Sequence, residues 1–143
     1  DDLWHPKVVI SIRKQRADLF EGETLVAQSA VSTGRRGHKT PQGDYAVIEK
    51  VPLHLSSRYG DYLSEVGEVV LGSIDNEEQP PPPGTTFRGT QMPYFLRITG
   101  GIGLHAGVLP GHRDSHGCVR MPRLFAQKLF ETVPLGTPVI VTD

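Results

Sequence analysis

Three features of this sequence predict a mainly β fold with one helix near the C-terminal end. Its 143 residues include 16 Gly and 12 Pro, spread so that few stretches are long enough for a helix. Short β-branched and apolar runs recur between these breaks. Only "MPRLFAQKLFETVPLG", residues 121–136, carries a sustained helical period.

Taken in order, "KVVISIRKQ" (Lys7 to Gln15) reads as a strand, with Val8, Ile10 and Ile12 on one face. "ADLFEGETLVAQSAVST" reads as a hairpin turning at Glu21-Gly22. "GDYAVIEKV" (Gly43 to Val51) and "YFLRI" (Tyr94 to Ile98) are two more strand candidates. From Pro52 to Pro93 the pattern breaks down into a segment with a four-proline run and no long periodic element. The expectation there is an insertion within a single domain of residues 1–143: a surface spacer, or a lid over a cleft. In the helix, Pro122 fits the first turn, Phe125, Leu129 and Val133 recur at i, i+4 and i+8, and Pro134 and Gly136 stop it. "TPVIVT" (Thr137 to Thr142) then closes the chain as a buried strand.

Composition excludes several classes of partner. Lys plus Arg is 15 against 16 for Asp plus Glu, which argues against nucleic acid or an anionic membrane as the main partner. No apolar run reaches the roughly 18 residues of a membrane span. The start, "DDLWHPKVVI", lacks the pattern of a secretion signal, so the expectation is a cytosolic chain or an exported one without its leader. A single cysteine excludes an internal disulfide and, in an exported protein, needs a use. The sequence does not specify an oligomeric state.

That cysteine lies in the most chemically dense stretch, "HAGVLPGHRDSHGCVRMP" (His105 to Pro122), with three of the six histidines. A thiol becomes a better nucleophile beside an imidazole that can form a thiolate–imidazolium pair. His116 shares a face with Cys118 on an extended chain, whereas His105 ends the run "ITGGIGL" and needs a fold-back to reach it. Gly117 frees the backbone to aim the Gly117 and Cys118 N–H groups at a developing oxyanion. Ser115 can tie the loop, and the Arg120 guanidinium can grip a carboxylate or form a structural ion pair.

A zinc site is the rival, since His105, His112, His116 and Cys118 are all possible ligands. The i, i+4 spacing of His112 and His116 needs a helix, and glycines flank that pair. The expectation is therefore no metal. A redox-sensing thiol is a further alternative.

These residues resemble the L,D-transpeptidase catalytic domain, or YkuD, family. The motif reads "LHAG…SHGCVRMP", "VSTGRRGHKTPQGDYAVIEK" resembles the family's early block, and "MPYFLRITGGIGLHAG" its strand pair before the histidine. The three blocks cover about half the chain, in the family's order. The resemblance implies a β-sandwich with one main helix. It implies Cys118 as nucleophile, His105 as general base, and His116, Gly117 and Ser115 as the oxyanion and loop set. Arg120 and Tyr94 become substrate-binding candidates, although Tyr94 reads better as core; Arg35, Arg36 and His38 read as a solvated loop or an edge of the substrate groove, with solvent favoured.

It further implies acyl transfer on peptidoglycan stem peptides without a cofactor. The thiol attacks the third-residue carbonyl and releases D-alanine, and an acceptor amine forms a crosslink. Water as acceptor gives an L,D-carboxypeptidase, and a non-catalytic peptidoglycan-binding module is the remaining alternative. Carbapenem-type β-lactams become expected covalent partners and the periplasm or cell envelope the expected location. One departure is the loop from His105 to Ser115, shorter than in many relatives, where His112 has no role to inherit.

Overall fold

The computed structural model describes residues 4–143, so the first three residues of the N-terminal stretch read above lie outside the described residues. The described chain has ten strands and one helix. In order these are β1 (Pro6–Ser11), β2 (Arg16–Glu21), β3 (Thr24–Ala30), β4 (Gly43–Ala46), β5 (Glu49–Leu63), β6 (Val69–Asp75), β7 (Thr86–Thr99), β8 (Ile102–Ala106), β9 (Val119–Met121), α1 (Arg123–Thr132) and β10 (Pro138–Thr142). They fall into two compact units, Asp1–Pro52 with Pro93–Asp143, and Leu53–Met92.

In the larger unit, one sheet has the order β3-β2-β1-β10-β4. Its central pair is parallel, Val8 opposite Val139 and Ile10 opposite Val141, and its other pairs are antiparallel. The β1–β2 hairpin partner, β2–β3, turns after Glu21 as expected, with Gly22 at φ +60°. A second sheet runs from the C-terminal half of β7 through β8 to β9. Period-2 alternation gives each sheet one apolar face. Val8, Ile10, Ala17, Leu19, Val139 and Val141 from the first meet Leu96, Ile98, Leu104, Ala106, Val119 and Met121 from the second in one buried core.

The helix closes this core with Ala126 and Leu129, joined by Val133 just past its end. It begins one residue later than the sequence suggests, because Pro122 sits in extended geometry as the N-cap. At the other end, Lys50 Nζ donates to the Val133 carbonyl at 2.8 Å, a cation where the helix dipole is negative. Among the described residues, no helix is long and apolar enough to cross a membrane.

Two expectations are corrected. The run Gly43 to Val51 is two strands, because the chain changes sheets at its middle. The Val47 N–H bonds Thr137 O and the next N–H, that of Ile48, bonds Arg97 O, each at 2.9 Å. The second correction concerns the stretch that seemed to lack regular elements, which is largely strand. Within Leu53–Met92, β5 pairs antiparallel with β6, Tyr59 opposite Asp75 and Leu63 opposite Val69, with register shifts between. Tyr62 is its buried anchor, donating to Gln79 O at 2.5 Å and packing on Phe87. Strand signals were hidden by glycines required for close backbone approach. A Cβ at Gly60 would lie 2.0 Å from Arg88 O, and one at Gly89 2.0 Å from Ser56 O.

Leu129 joins the helix to the core with 1 % exposure. Leu129→Ala should therefore lower unfolding free energy by about 2–5 kcal/mol. Urea titration followed by circular dichroism measures this, and a loss below about 1 kcal/mol contradicts the packing described.

Candidate active site

The second sheet of the larger unit separates packing from chemistry by strand alternation. Leu104 and Ala106 point into the core from β8, so His105 between them lies on the opposite face. On β9, Val119 and Met121 are core and Arg120 lies opposite. The strands pair in parallel with His105 across from Arg120 and Leu104 across from Val119. Cys118 immediately precedes β9, so the fold-back that the sequence required is a strand pairing.

Cys118 is 9 % exposed and His105 5 % exposed. The thiol lies 3.6 Å from Gly101 O and takes a hydrogen bond from the Gly103 N–H. Burial pushes the thiol above its ordinary range; the Gly103 N–H and the charges of Arg97 and Arg120 offset this only in part. Burial thus favours the neutral thiol over the thiolate. The His105 Nδ1 lies 2.8 Å from Ala106 O. With Nδ1 donating to that carbonyl, Nε2 is the basic nitrogen.

The surroundings hold these groups in place. Gly103 admits no side chain, since a Cβ would fall 2.5 Å from Leu96 O and 2.7 Å from the Phe95 ring. That ring lies 6.2 Å from the His105 ring, centroid to centroid, and the Arg97 guanidinium sits 5.0 Å over it. Arg97 is itself anchored to Glu49 and to Gly100 O, both at 2.6 Å.

The loop before Cys118 is stitched to residues 32–40. Ser32 and Arg120 exchange backbone hydrogen bonds at 2.9 Å in both directions, and Arg35 N–H donates to Ser115 O at 2.8 Å. The Ser115 hydroxyl donates to Cys118 O and accepts from Gly117 N–H at 3.2 Å. Gly117 has φ +123°, a region that suits glycine. Thr40 donates to Gly117 O at 2.6 Å.

The candidates thus fall into groups. Cys118, His105, Ser115 and Gly117 come together. His116 is exposed on the loop, with Nε2 3.2 Å from Arg35 Nη2 and its ring edge-to-face with His38 at 4.9 Å. Arg35 and His38 therefore pack against the motif, where the sequence favoured a solvated loop over an edge of the groove. Arg120 is bound to Asp114 at 2.8 Å, and its guanidinium holds that carboxyl below the usual carboxylate range. Tyr94 packs with Phe130 and Arg123 of α1. His112 is exposed, and its carbonyl accepts from the Ser32 hydroxyl at 2.7 Å. No three His, Cys, Asp or Glu side chains among the described residues are grouped to hold a metal. Gly103, Arg97, Asp114 and Thr40 were not singled out from sequence, and for Gly103 and Thr40 only their blocks, "ITGGIGL" and "HKTPQG", gave any signal.

The profile of the YkuD family, the L,D-transpeptidase catalytic domain, matches residues 5–141. The chain belongs to this family. The domain is 28% identical over 138 residues to a Bacillus subtilis (strain 168) protein named as the L,D-transpeptidase YqjB, covering 96% of this chain and 72% of that protein. It superposes on LdtMt1 in complex with imipenem with a TM-score of 0.74 at 18% identity, covering 97% of this chain and 59% of that one. L,D-transpeptidase 3 from Mycobacterium tuberculosis in complex with a faropenem-derived adduct gives a TM-score of 0.72 at 25% identity, covering 98% and 61%. The domain therefore spans about three fifths of the length of those solved chains.

Because burial raises the Cys118 pKa, its thiolate fraction at neutral pH should be below that of free cysteine and should grow as pH rises. The pH dependence of iodoacetamide alkylation should show a midpoint above the free-thiol value, moving higher still in Arg97→Gln. A midpoint below the free-thiol value contradicts control by burial.

Proposed function

We propose that this domain is a cysteine-dependent peptidoglycan L,D-transpeptidase. Its membership of the family supports this, and the observation that carries it is the parallel register that pairs His105 of β8 with Arg120 of β9, two residues after Cys118, so that the thiol enters at the head of the strand beside the one that carries His105. In this reading His105 Nε2 takes the thiol proton as Sγ attacks the third-residue carbonyl of a stem tetrapeptide. The tetrahedral oxyanion collapses, the imidazolium returns the proton to the departing amine, and D-alanine leaves. A thioester to Cys118 remains. An acceptor amine then attacks it, loses a proton to His105, and forms the crosslink while the sulfur is reprotonated.

The raised thiol pKa supports proton transfer in step with attack, since a neutral thiol needs a base at that moment. His116, bridged to Arg35 and His38, serves in shaping the loop. Arg120 receives substrate carboxylate only by exchanging Asp114 for it. Tyr94, packed with α1 side chains, acts as a support of the β7 end of the site. Substrate of this kind places the enzyme in the periplasm or cell envelope. Imipenem and faropenem-type compounds, found with the relatives, are proposed to acylate Cys118 here.

The test is incubation with a disaccharide-free tetrapeptide stem and mass analysis of products. A crosslinked dimer with free D-alanine supports transpeptidation, while a tripeptide alone reassigns the domain as an L,D-carboxypeptidase. Cys118→Ala should release no D-alanine and add no imipenem, with folding retained. His105→Ala should slow acylation by roughly 10²- to 10⁴-fold, with partial recovery as pH rises, and His116→Ala should slow it less. Release of D-alanine by Cys118→Ala at the wild-type rate would falsify the proposal.

A further inference from the structure

The Thr40 hydroxyl, in a residue 2 % exposed, joins two loops. It accepts the Gly34 N–H at 2.9 Å and donates to the Gly117 carbonyl at 2.6 Å. We infer that Thr40 is a positioning residue that aims the Cys118 N–H at the oxyanion formed during acyl transfer, an inference that rests on the function proposed above.

The argument begins with peptide geometry. A trans peptide is planar, so the carbonyl of Gly117 and the N–H of Cys118 lie on opposite edges of one rigid unit. Fixing the carbonyl direction fixes the amide direction. Gly117, without a side chain, gives little resistance to rotation of that unit, so the aim must come from outside the loop. Thr40 supplies it. The Gly117 N–H and Cys118 carbonyl on either side are both tied to the Ser115 hydroxyl, which leaves the Cys118 N–H as the remaining backbone polar group of the pair.

Thr40 is itself held rigidly. Pro41 follows it and favours extended backbone at Thr40. Gly34 permits the close approach of the loop, since a Cβ there would fall 1.9 Å from His38 O and 2.7 Å from Thr40 N. The hydroxyl's single donor and one of its lone pairs are used, which fixes its rotor. Such a residue acts on the reaction through the peptide it orients, without touching substrate.

Two reagents separate aiming from general support. Imipenem acylation passes through a tetrahedral oxyanion, whereas iodoacetamide alkylates the same sulfur by direct displacement and forms none. Wild type, Thr40→Val and Thr40→Ser are compared with both reagents, as the full chain. In Thr40→Val, imipenem acylation should fall by about 10- to 100-fold, less than the roughly 10²- to 10³-fold for removing an oxyanion donor outright, because the N–H is misaimed and not lost. Its alkylation rate and pH midpoint should match wild type. Thr40→Ser keeps the hydroxyl and should restore acylation. If Val at this position prevents folding, Thr40→Ala makes the same comparison in a site with room for relaxation. Equal losses with both reagents, or no loss with either, overturn the inference. Failure of wild type to acylate at all overturns the proposed function and this inference with it, whereas unchanged acylation in Thr40→Val overturns this inference alone.

Discussion

The parallel pairing of β8 with the three-residue β9 is the contact on which the site depends. A strand of three residues has few ladder hydrogen bonds, so its position must be secured from several sides. Val119 and Met121 have no exposed surface and lock one face into the core, each contributing on the order of 1.5–3 kcal/mol by burial. On the edge away from β8, Ser32 exchanges two backbone bonds with Arg120, and at its end Gly107 N–H reaches Met121 O at 3.1 Å. Register here is absolute in its effect, since a one-residue slip would bring Arg120 into the core and turn Val119 outward. The core thereby sets which face carries the thiol.

Burial of that thiol has a chemical consequence. In a desolvated site the neutral form is favoured, and here the opposing Gly103 N–H and two guanidinium groups do not reverse it. A neutral thiol is slow to oxidise, because the thiolate is the reactive species. Once deprotonated, a sulfur of higher pKa is also the stronger nucleophile. A site of this kind keeps the thiol quiet at rest and reactive when a base takes its proton during attack. Under the function proposed above, this ties the role of His105 to timing more than to a standing charge pair.

Much of the larger unit was legible because its signals are periodic. Alternation at Val8, Ile10 and Ile12, the Glu21-Gly22 turn, and the i, i+4 spacing of Phe125 and Leu129 each report a local geometry. Val47 and Ile48 carry no such signal: their N–H groups part toward different sheets, a decision made by Thr137 and Arg97 far along the chain. The 53–92 stretch was opaque for a related reason, since Gly60 and Gly89 read as breaks when they are close-contact points in strands. In the site, Cys118 and His105 were legible through motif chemistry. Thr40, Gly103 and Arg97 were not, because their value lies in what the fold brings beside them.

The Arg120–Asp114 pair shows how the loop before Cys118 is held to β9. Asp114 binds Arg120 through its carboxylate at 2.8 Å and more loosely through its carbonyl at 3.4 Å, so the pair closes the loop on β9 itself. With Ser115 tied to Thr33 and Cys118, and His112 O held by Ser32, the inner end of the loop is fixed at successive points. The side chains of His112 and Arg113 are exposed at the outer end of the loop. A carboxylate approaching Arg120 must compete with one already bound in a partly buried pair, where breaking one partner away costs more than at an open surface. Under the function proposed above, a substrate carboxylate therefore gains at Arg120 only by displacing Asp114, and a poorly aligned anion leaves Asp114 bound.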